Sequence, residues 1–383
     1  MNDITTVPNL DSGKGATLPN TQANTSKRSF KSLLVWESGL FVVLVASVIG
    51  GSILSPQFLT AGNILNLQLS IGEIAIMALP LALIVITGEI DLSVASILGL
   101  SSSLVGYLWM HHVPMSIALS VVLVVGALLG LFNGVLVTRL GLPSLAVTIG
   151  TLALYRGVAL VILGSNIVSN FPPSYTSIGV NSIPGFDISY SMFVFIVLAV
   201  IFGLVVHFTP FGRSLFAIGL NKEAAAYAGI RVKRTKTTLY VLSGVICALA
   251  GVLYTFRLST AEYNNGSGLE LNAVSLVLLA GVSIFGGRGS ILGVVLAVAT
   301  LGTIQNGLLL TTFPQQAMGV VVGGLLLISV FVPNASLIRR QFQEFKFKKV
   351  AKKRSNSGES MGDLETKRIL SSATGGKGDM LQS

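Results

Sequence analysis

The sequence predicts an all-α protein, a polytopic transmembrane bundle of about ten helices with both termini in the cytoplasm. Of its 383 residues, 52% are hydrophobic and only 10% are charged, whereas soluble domains carry about 25% charged residues. Apolar runs of about 18–25 residues recur along the chain, and each could cross a hydrocarbon core of about 30 Å. Because the apolar runs of a soluble core are shorter and interrupted, these observations predict a multi-pass inner-membrane protein.

The apolar runs place the predicted spans in order along the chain. They lie at about 32–54, 64–87, 92–110, 115–138, 143–164, 189–208, 239–257, 270–287, 290–311 and 315–332. The flanking residues are polar. We therefore expect a disordered cytoplasmic tail over 1–31, a transmembrane domain over 32–335 and a disordered basic tail over 336–383.

Basic residues fall on one side of this array. With the N-terminus inside, the inner segments hold Arg139, the basic residues of the 209–238 loop and the whole basic tail, and only Arg156 and Arg257 lie elsewhere. This asymmetry predicts the cytoplasmic side. The net charge of +10 is then expected to face anionic membrane lipid, so nucleic acid is not an expected partner.

Ionisable side chains inside a span are costly and mark functional positions. Glu73 and Arg156 are both predicted roughly 12–14 Å below the outer surface, and we expect an ion pair or a shared polar cavity. The pair could be structural or could line a translocation path. Gln68, Gln305 and Asn306 lie at similar depth, where they could bind a polar substrate or join two helices.

Glu89, Asp91 and Arg288 are predicted at the inner mouth. Asp91 is expected to cap the third span, with a gate as the alternative. Packing of helices is the expected role of glycines spaced by four, such as Gly126 and Gly130, because small residues let helix backbones approach. The histidines lack a second ligand at metal spacing, so no metal site is predicted.

The longest inner loop, 209–238, contains a short helix by its capping residues. Asn221 is a good N-cap, Glu223 favours the first turn, and Ala224 and Ala225 propagate a helix that Gly229 can end. The expected helix has about seven residues. From these residues alone, it could be a plain connection or a docking element for another protein.

Three motifs in this order resemble one family. They are 219–232 (GLNKEAAAYAGIRV), 87–96 (TGEIDLSVAS) and 280–290 (AGVSIFGGRGS). The first resembles the coupling loop of ribose-type sugar permeases of ABC importers, and the other two resemble further signatures of that family. The resemblance covers about 60–335. Where the family more often has glycine, this chain has Glu89 and Ala95, which resembles the rhamnose and autoinducer-2 permeases.

The resemblance implies a permease subunit that imports a monosaccharide, such as a pentose, rhamnose or an autoinducer-2-like sugar. It implies a separate ATPase subunit on the cytoplasmic loop, an extracytoplasmic sugar-binding protein and a second permease copy or paralogue. The sequence has no Gly-x-x-x-x-Gly-Lys-Ser/Thr phosphate loop. We therefore expect a non-enzymatic subunit without a cofactor, whose partner binds ATP. The alternative is an ion-coupled transporter that uses Glu73.

Overall fold

The computed structural model describes residues 21–311 together with 319–325, 327–328 and 331. Over 21–311 the chain is helical, and two isolated bridges are the only β pairing in that range. Residues 1–20 and the whole predicted basic tail, 336–383, lie outside the described residues. Of the predicted span 315–332, the structure describes 319–325, 327–328 and 331, and these positions are helical.

Helices that are long and apolar enough to cross a membrane number seven in the described part of the chain. They are α1 (Thr21–Leu54, apolar from Trp36), α2 (Ala61–Ile86), α4 (Met115–Thr138), α5 (Ser144–Leu163), α7 (Tyr190–Phe208), α10 (Val232–Leu258) and α12 (Ile291–Leu309). Two shorter apolar helices are α3 (Val94–Met110) and α11 (Leu269–Leu279). The connecting helices are α6 (Pro173–Val180), α8 (Pro210–Leu220) and α9 (Lys222–Tyr227).

The all-helical class is confirmed for the described residues, but the continuous span predicted at 270–287 is wrong. Its helix, α11, ends at Leu279. Gly281, Gly286 and Gly287 have φ angles of +80°, +79° and +73°, and this left-handed backbone ends a helix. The count of about ten spans and the cytoplasmic position of the termini stay predictions.

Helix α2 forms the centre of the bundle. Its residues from Ile71 to Ile86 are all buried, because α3, α7, α10, α11 and α12 pack around it. In contrast, α4, α5 and α7 each present exposed apolar side chains on an outer face, for example Val124, Leu154 and Val200. Such faces suit contact with lipid.

Helices α4 and α10 are packed backbone to backbone along glycines. A Cβ atom on Gly126 would meet Gly244, one on Gly130 would collide with the carbonyl of Tyr240, and Gly134 lies against Thr237. The predicted packing role of this glycine series is confirmed. The contact fixes α10 against α4 over three turns and orders the two helix ends that follow.

We call the end of the bundle at which α9 lies the α9 side. Helix α2 ends there and α10 begins there, since Lys236 near the start of α10 bonds to Glu89 just after α2. The apolar part of α1 also starts on this side, because Trp36 Nε1 donates to the carbonyl of Leu279 at 3.0 Å.

Candidate functional site

A non-helical segment, 259–268, runs into the bundle between α10 and α11. Its contacts with successive turns of α3 show how deep each part of the segment lies. Gly106, near the far end of α3, lies against Ala261. Ser102, at the middle of α3, accepts a hydrogen bond from Asn265 Nδ2 at 2.8 Å. One turn further on, α3 touches Gly266. The segment therefore descends to the middle of the bundle, where α11 starts.

Local backbone conformation makes this break in helical structure possible. Ser259, Gly266 and Gly268 have φ angles of +54°, +72° and +85°, which no regular helix contains. Asn265 stabilises the turn, since its amide also donates to the carbonyl of Thr260 at 3.1 Å. Residues 259–279 thus form a broken segment, with an irregular half and a helical half.

Arg156 holds the irregular half in place. Its guanidinium donates to the carbonyl of Asn265 at 2.5 Å and to that of Ala95 in α3 at 3.3 Å. Gly99 makes room for this group, because a Cβ there would collide with the guanidinium. The expected ion pair between Arg156 and Glu73 is wrong: Arg156 is directed to backbone carbonyls, and Glu73 has another partner.

That partner is Arg257, in the last turn of α10. Its Nε lies 3.1 Å from Glu73 Oε1, and the Glu73 side chain, at the midpoint of α2, is only 2% exposed. Glu73 Oε2 has no hydrogen-bond partner among the described residues. Arg257 is 20% exposed and lies over the ring of Tyr254, 4.9 Å from the centroid. The sequence feature that could have pointed to Arg257 is its position, because it is one of the two basic residues outside the predicted inner segments.

The free edge of the broken segment is polar. Asn264, Ser267 and Gly268 are exposed at the depth of the middle of α3, and the carboxylate of Glu262 is partly exposed nearby in sequence. Irregular backbone at membrane depth is stable only where protein buries it or where it lines a water-filled cavity. This edge must therefore face water or another protein surface, and it cannot face lipid.

Two of the three uncharged polar candidates join parts of the bundle. Gln68 accepts from the amide of residue 189 at 2.8 Å and donates to the carbonyl of residue 187 at 3.0 Å. Asn306 exchanges two hydrogen bonds with Asn63, at 2.7 and 3.0 Å. Gln305 is half-buried and has no hydrogen bond to the described residues, so it keeps its amide available.

The prediction that Asp91 caps α3 is wrong, because the N-cap position is Ser93, two residues later. Asp91 Oδ1 accepts from the amide and the hydroxyl of Ser93, at 2.9 and 2.6 Å. Ser93 is itself the N-cap residue of α3 and makes no side-chain cap bond. Its hydroxyl also accepts from Asn133 Nδ2 at 2.8 Å. Asp91 therefore anchors the turn before α3 to α4.

The other inner-mouth acid, Glu89, forms an ion pair with Lys236 of α10 at 2.5 Å. The Lys236 side chain is 5% exposed and that of Glu89 is 18% exposed. Arg288, the third residue of the predicted inner-mouth set, is exposed and does not join this pair.

The three sequence motifs meet on the α9 side through glycine backbones. The amide of Gly287 donates to the carbonyl of Ile86 at 2.8 Å. A Cβ on Gly219 would collide with both of these groups, and one on Gly286 would lie 2.9 Å from the amide of Gly88. We call these segments, 86–88, 219–220 and 285–287, the glycine hub. It joins α2, α8 and the 280–290 loop without space for side chains.

The capped helix predicted after Asn221 is confirmed. Asn221 Oδ1 accepts from the amide of Ala224 at 2.9 Å. At the other end, Gly229 has a φ of +84°, and the amide of Ile230 donates to the carbonyl of Ala225 at 3.1 Å. Helix α9 has six residues, with both ends closed by this pairing.

The residues of α9 differ in how far they are exposed to the surroundings of the bundle. Ala225 is 4% exposed and packs with Ile218 and Val232, so it anchors α9 to the bundle and lies away from the free face. Glu223 and Ala224 are exposed. Tyr227 is 94% exposed, which the sequence reasoning missed. The sequence feature that could have indicated this exposure is a large aromatic residue in a helix whose other residues are small or charged.

Comparisons with known proteins point to one family. Residues 63–330 match the family described as "Branched-chain amino acid transport system / permease component". The chain is 34% identical over 314 residues to the autoinducer 2 import system permease protein LsrD of Photorhabdus temperata, which covers 80% of this chain and 94% of that protein. It is 32% identical over 316 residues to the LsrD proteins of Escherichia coli (strain K12) and Shigella flexneri, covering 81% of this chain and 95% of each. No solved structure matches significantly.

The Glu73–Arg257 pair gives the first prediction. Arg257→Gln leaves the buried Glu73 carboxylate unpaired and should cost on the order of 3 kcal/mol of stability. The double variant Glu73→Gln, Arg257→Gln should recover most of this loss, because no buried charge remains. Thermal unfolding of the purified protein in detergent measures both. Arg213→Gln, which removes an exposed arginine, is the control. Equal losses in the single and double Arg257 variants would contradict the pairing.

Proposed function

Because this chain belongs to the permease family that it matches over residues 63–330, we propose that it forms the membrane path of an ABC importer for a small sugar-like molecule. The ribose-type recognition from the three motifs is confirmed by the family match and by the autoinducer 2 permeases. The proposal concerns the substrate, the path and the partners.

The observation that carries the proposed path is the polar edge of the broken segment. Transporter sites are often built near the membrane midplane from discontinuous helices. Residues 259–279 are such a segment, and Asn264, Ser267 and Gly268 present polar groups at mid-depth. Arg257, beside this segment in sequence, uses its Nε for Glu73. Its terminal nitrogens have no bond to the described residues and could donate to substrate hydroxyls.

The described residues of one chain leave this edge uncovered, and this supports the proposal of a paired permease. A second copy or a paralogue would place its own surface opposite 264–268, so that a water-filled path lies between two subunits. This arrangement satisfies the rule that irregular backbone at membrane depth faces protein or water.

The substrate proposed is an autoinducer-2-like sugar, with pentoses and rhamnose as the alternatives to assay. The relatives at 32–34% identity are autoinducer 2 import permeases. A hydroxyl-rich ligand suits the amide of Gln305 and the guanidinium of Arg257, since hydroxyls accept from both. We propose that an extracytoplasmic binding protein delivers this ligand and supplies most of the selectivity.

The proposed docking element for the ATPase subunit is α9, on the cytoplasmic side. Buried Ala225 fixes the helix to the bundle, while exposed Tyr227 projects from its end. Exposed aromatic residues that fill a partner's pocket commonly dominate binding energy. The neighbouring glycine hub exposes Leu220 and Phe285, so the free surface is aromatic and apolar and is bordered by the charged Lys222 and Glu223.

Ion coupling through Glu73 is the function that the geometry favours less. A carboxylate that carries a coupling ion or proton has to bind and release it during transport. Glu73 is already neutralised by Arg257 at 3.1 Å and is almost fully buried. The pair therefore supports a structural role for Glu73 in the path wall.

Uptake in proteoliposomes tests the function. With the chain, its ATPase subunit and its binding protein, labelled autoinducer-2-like sugar should accumulate only when ATP is present on the ATPase side. An uncoupler should leave uptake unchanged. Uptake that continues without the ATPase subunit and collapses with the uncoupler would reject the ABC proposal.

Docking through α9 is tested with Tyr227→Ala. Loss of a buried aromatic anchor should weaken binding of the ATPase subunit by about 30-fold, which corresponds to roughly 2 kcal/mol. Affinity is measured by titrating the ATPase subunit onto detergent-solubilised permease. Phe208→Ala removes another highly exposed aromatic residue, on α7, and should leave affinity unchanged. Docking elsewhere would be indicated by equal affinities for the Tyr227 variant and the unaltered protein.

The water-filled path is tested with cysteine labelling in membranes. Cys247, the chain's one cysteine, is fully buried, so the unaltered chain should give a low background. Ser267→Cys should react with a charged, water-soluble thiol reagent because it lies on the polar edge. Val200→Cys, at the middle of the outer face of α7, should stay unmodified in lipid. If both cysteines were equally protected, the polar edge would not line an aqueous path.

A further inference from the structure

A cleft opens on the α9 side where α4 ends and α10 begins. Its volume is about 410 Å³. Six residues from these two helix ends line it: Thr138, Arg139, Lys233, Arg234, Thr237 and Thr238. This cleft is far along the chain from the broken segment and includes no residue of α9.

The cleft follows from the glycine packing of α4 and α10. The two backbones are in contact up to Gly134 and Thr237. Beyond this point Thr138 and Arg139 of α4 face the first turns of α10 across the cleft. The hydroxyls of Thr138 and Thr237 lie 2.8 Å apart and form the floor. The shape is therefore fixed by the rigid part of the bundle.

Charge in the cleft is uncompensated. Arg139, Lys233 and Arg234 are all exposed, and in the described part of the chain no carboxylate lies within 4.0 Å of any of them. Lys236, one turn along α10 from Lys233, is paired with Glu89. Three cations that share a cleft without a counter-charge indicate a site for an anion.

Apolar side chains border the basic cleft. Leu140, immediately after Arg139, is 63% exposed, and Leu142 is also exposed. On the outer face of α4, Phe132 and Leu128 are exposed about two and three turns before the helix ends at Thr138. The surface is therefore amphiphilic, with cations at the membrane border and an apolar strip along the helix. A soluble anion would use only the cations.

We propose that this cleft binds the phosphate headgroup of an anionic phospholipid, with its acyl chains along the apolar face of α4. Among the described residues, the basic side chains other than Arg156 and Arg257 cluster towards the predicted cytoplasmic side, and anionic lipid headgroups bind basic pockets between transmembrane helices on that side. Bound lipid joins the end of α4 to the start of α10, and α10 follows α9 after four residues. The site thereby steadies the helix that leads from the docking element.

Lipid retention tests the proposal. The double variant Arg139→Gln, Arg234→Gln is purified as the full chain in mild detergent, and retained phospholipid is counted by intact-protein mass spectrometry. Each basic residue near anionic lipid contributes roughly fivefold in affinity, so retained phosphatidylglycerol should fall by about tenfold or more. The charge-matched control Arg213→Gln, Arg288→Gln removes two exposed cations outside the cleft and should retain lipid.

Three further measurements separate the alternatives. Arg139→Lys, Arg234→Lys should retain lipid, since it keeps the charge and controls for folding. In nanodiscs, phosphatidylglycerol should raise the unfolding temperature of the unaltered chain more than phosphatidylcholine does. Equal retention by the two Gln doubles would overturn the proposal. An equal thermal shift with inorganic phosphate alone would show that the cleft binds a soluble anion. Loss of ATPase binding in the Arg139→Gln, Arg234→Gln variant with unchanged lipid retention would show that the cleft contacts a protein. Either result would also overturn the lipid proposal.

Discussion

Hydrocarbon cannot hydrogen-bond to a peptide backbone, and the arrangement of the mid-membrane region depends on this constraint. The irregular half of the broken segment places free carbonyls at the depth of the middle of α3. Arg156 satisfies them from α5 and binds α3 with the same guanidinium. A cation at this depth is costly, but here it replaces the helical hydrogen bonds that the segment lacks. Gly99 is required because its missing side chain is the space that the guanidinium occupies.

Two ion pairs connect α10 to α2 at different depths. Lys236 meets Glu89, just beyond the end of α2, and Arg257 meets Glu73 at its midpoint. Between them α10 contacts α4 through the glycine series, where backbone against backbone leaves little freedom. Helix α10 is therefore held to both α2 and α4. Ala225 also packs α9 against Val232 at the start of α10, so α9 is attached to the same helix that the two ion pairs hold.

The sequence was sufficient for features that depend on composition or on nearest neighbours. Hydropathy located the long spans, and the Asn221 and Gly229 caps located α9. It failed where three-dimensional packing decides. Hydropathy cannot distinguish a continuous span from α11 with a glycine turn after Leu279. The sequence led to Arg156 as the expected partner of Glu73, whereas the partner is Arg257, and only the directions of α5 and α10 decide this. The inward face of Ala225 likewise follows from contacts outside a six-residue helix.

The use of polar groups inside the bundle bears on where selectivity arises. Gln68, Asn306, Arg156 and Asp91 are each committed to bonds within the chain. The donors left near mid-depth are the terminal nitrogens of Arg257 and the polar edge of the broken segment, and the amide of Gln305 is free nearer the end of α12. So few groups can orient a hydroxylated ligand only loosely, because strong discrimination needs several buried polar groups that a wrong ligand leaves unpaired. The path proposed above, with this composition, is suited to passing a ligand that a partner protein has already selected.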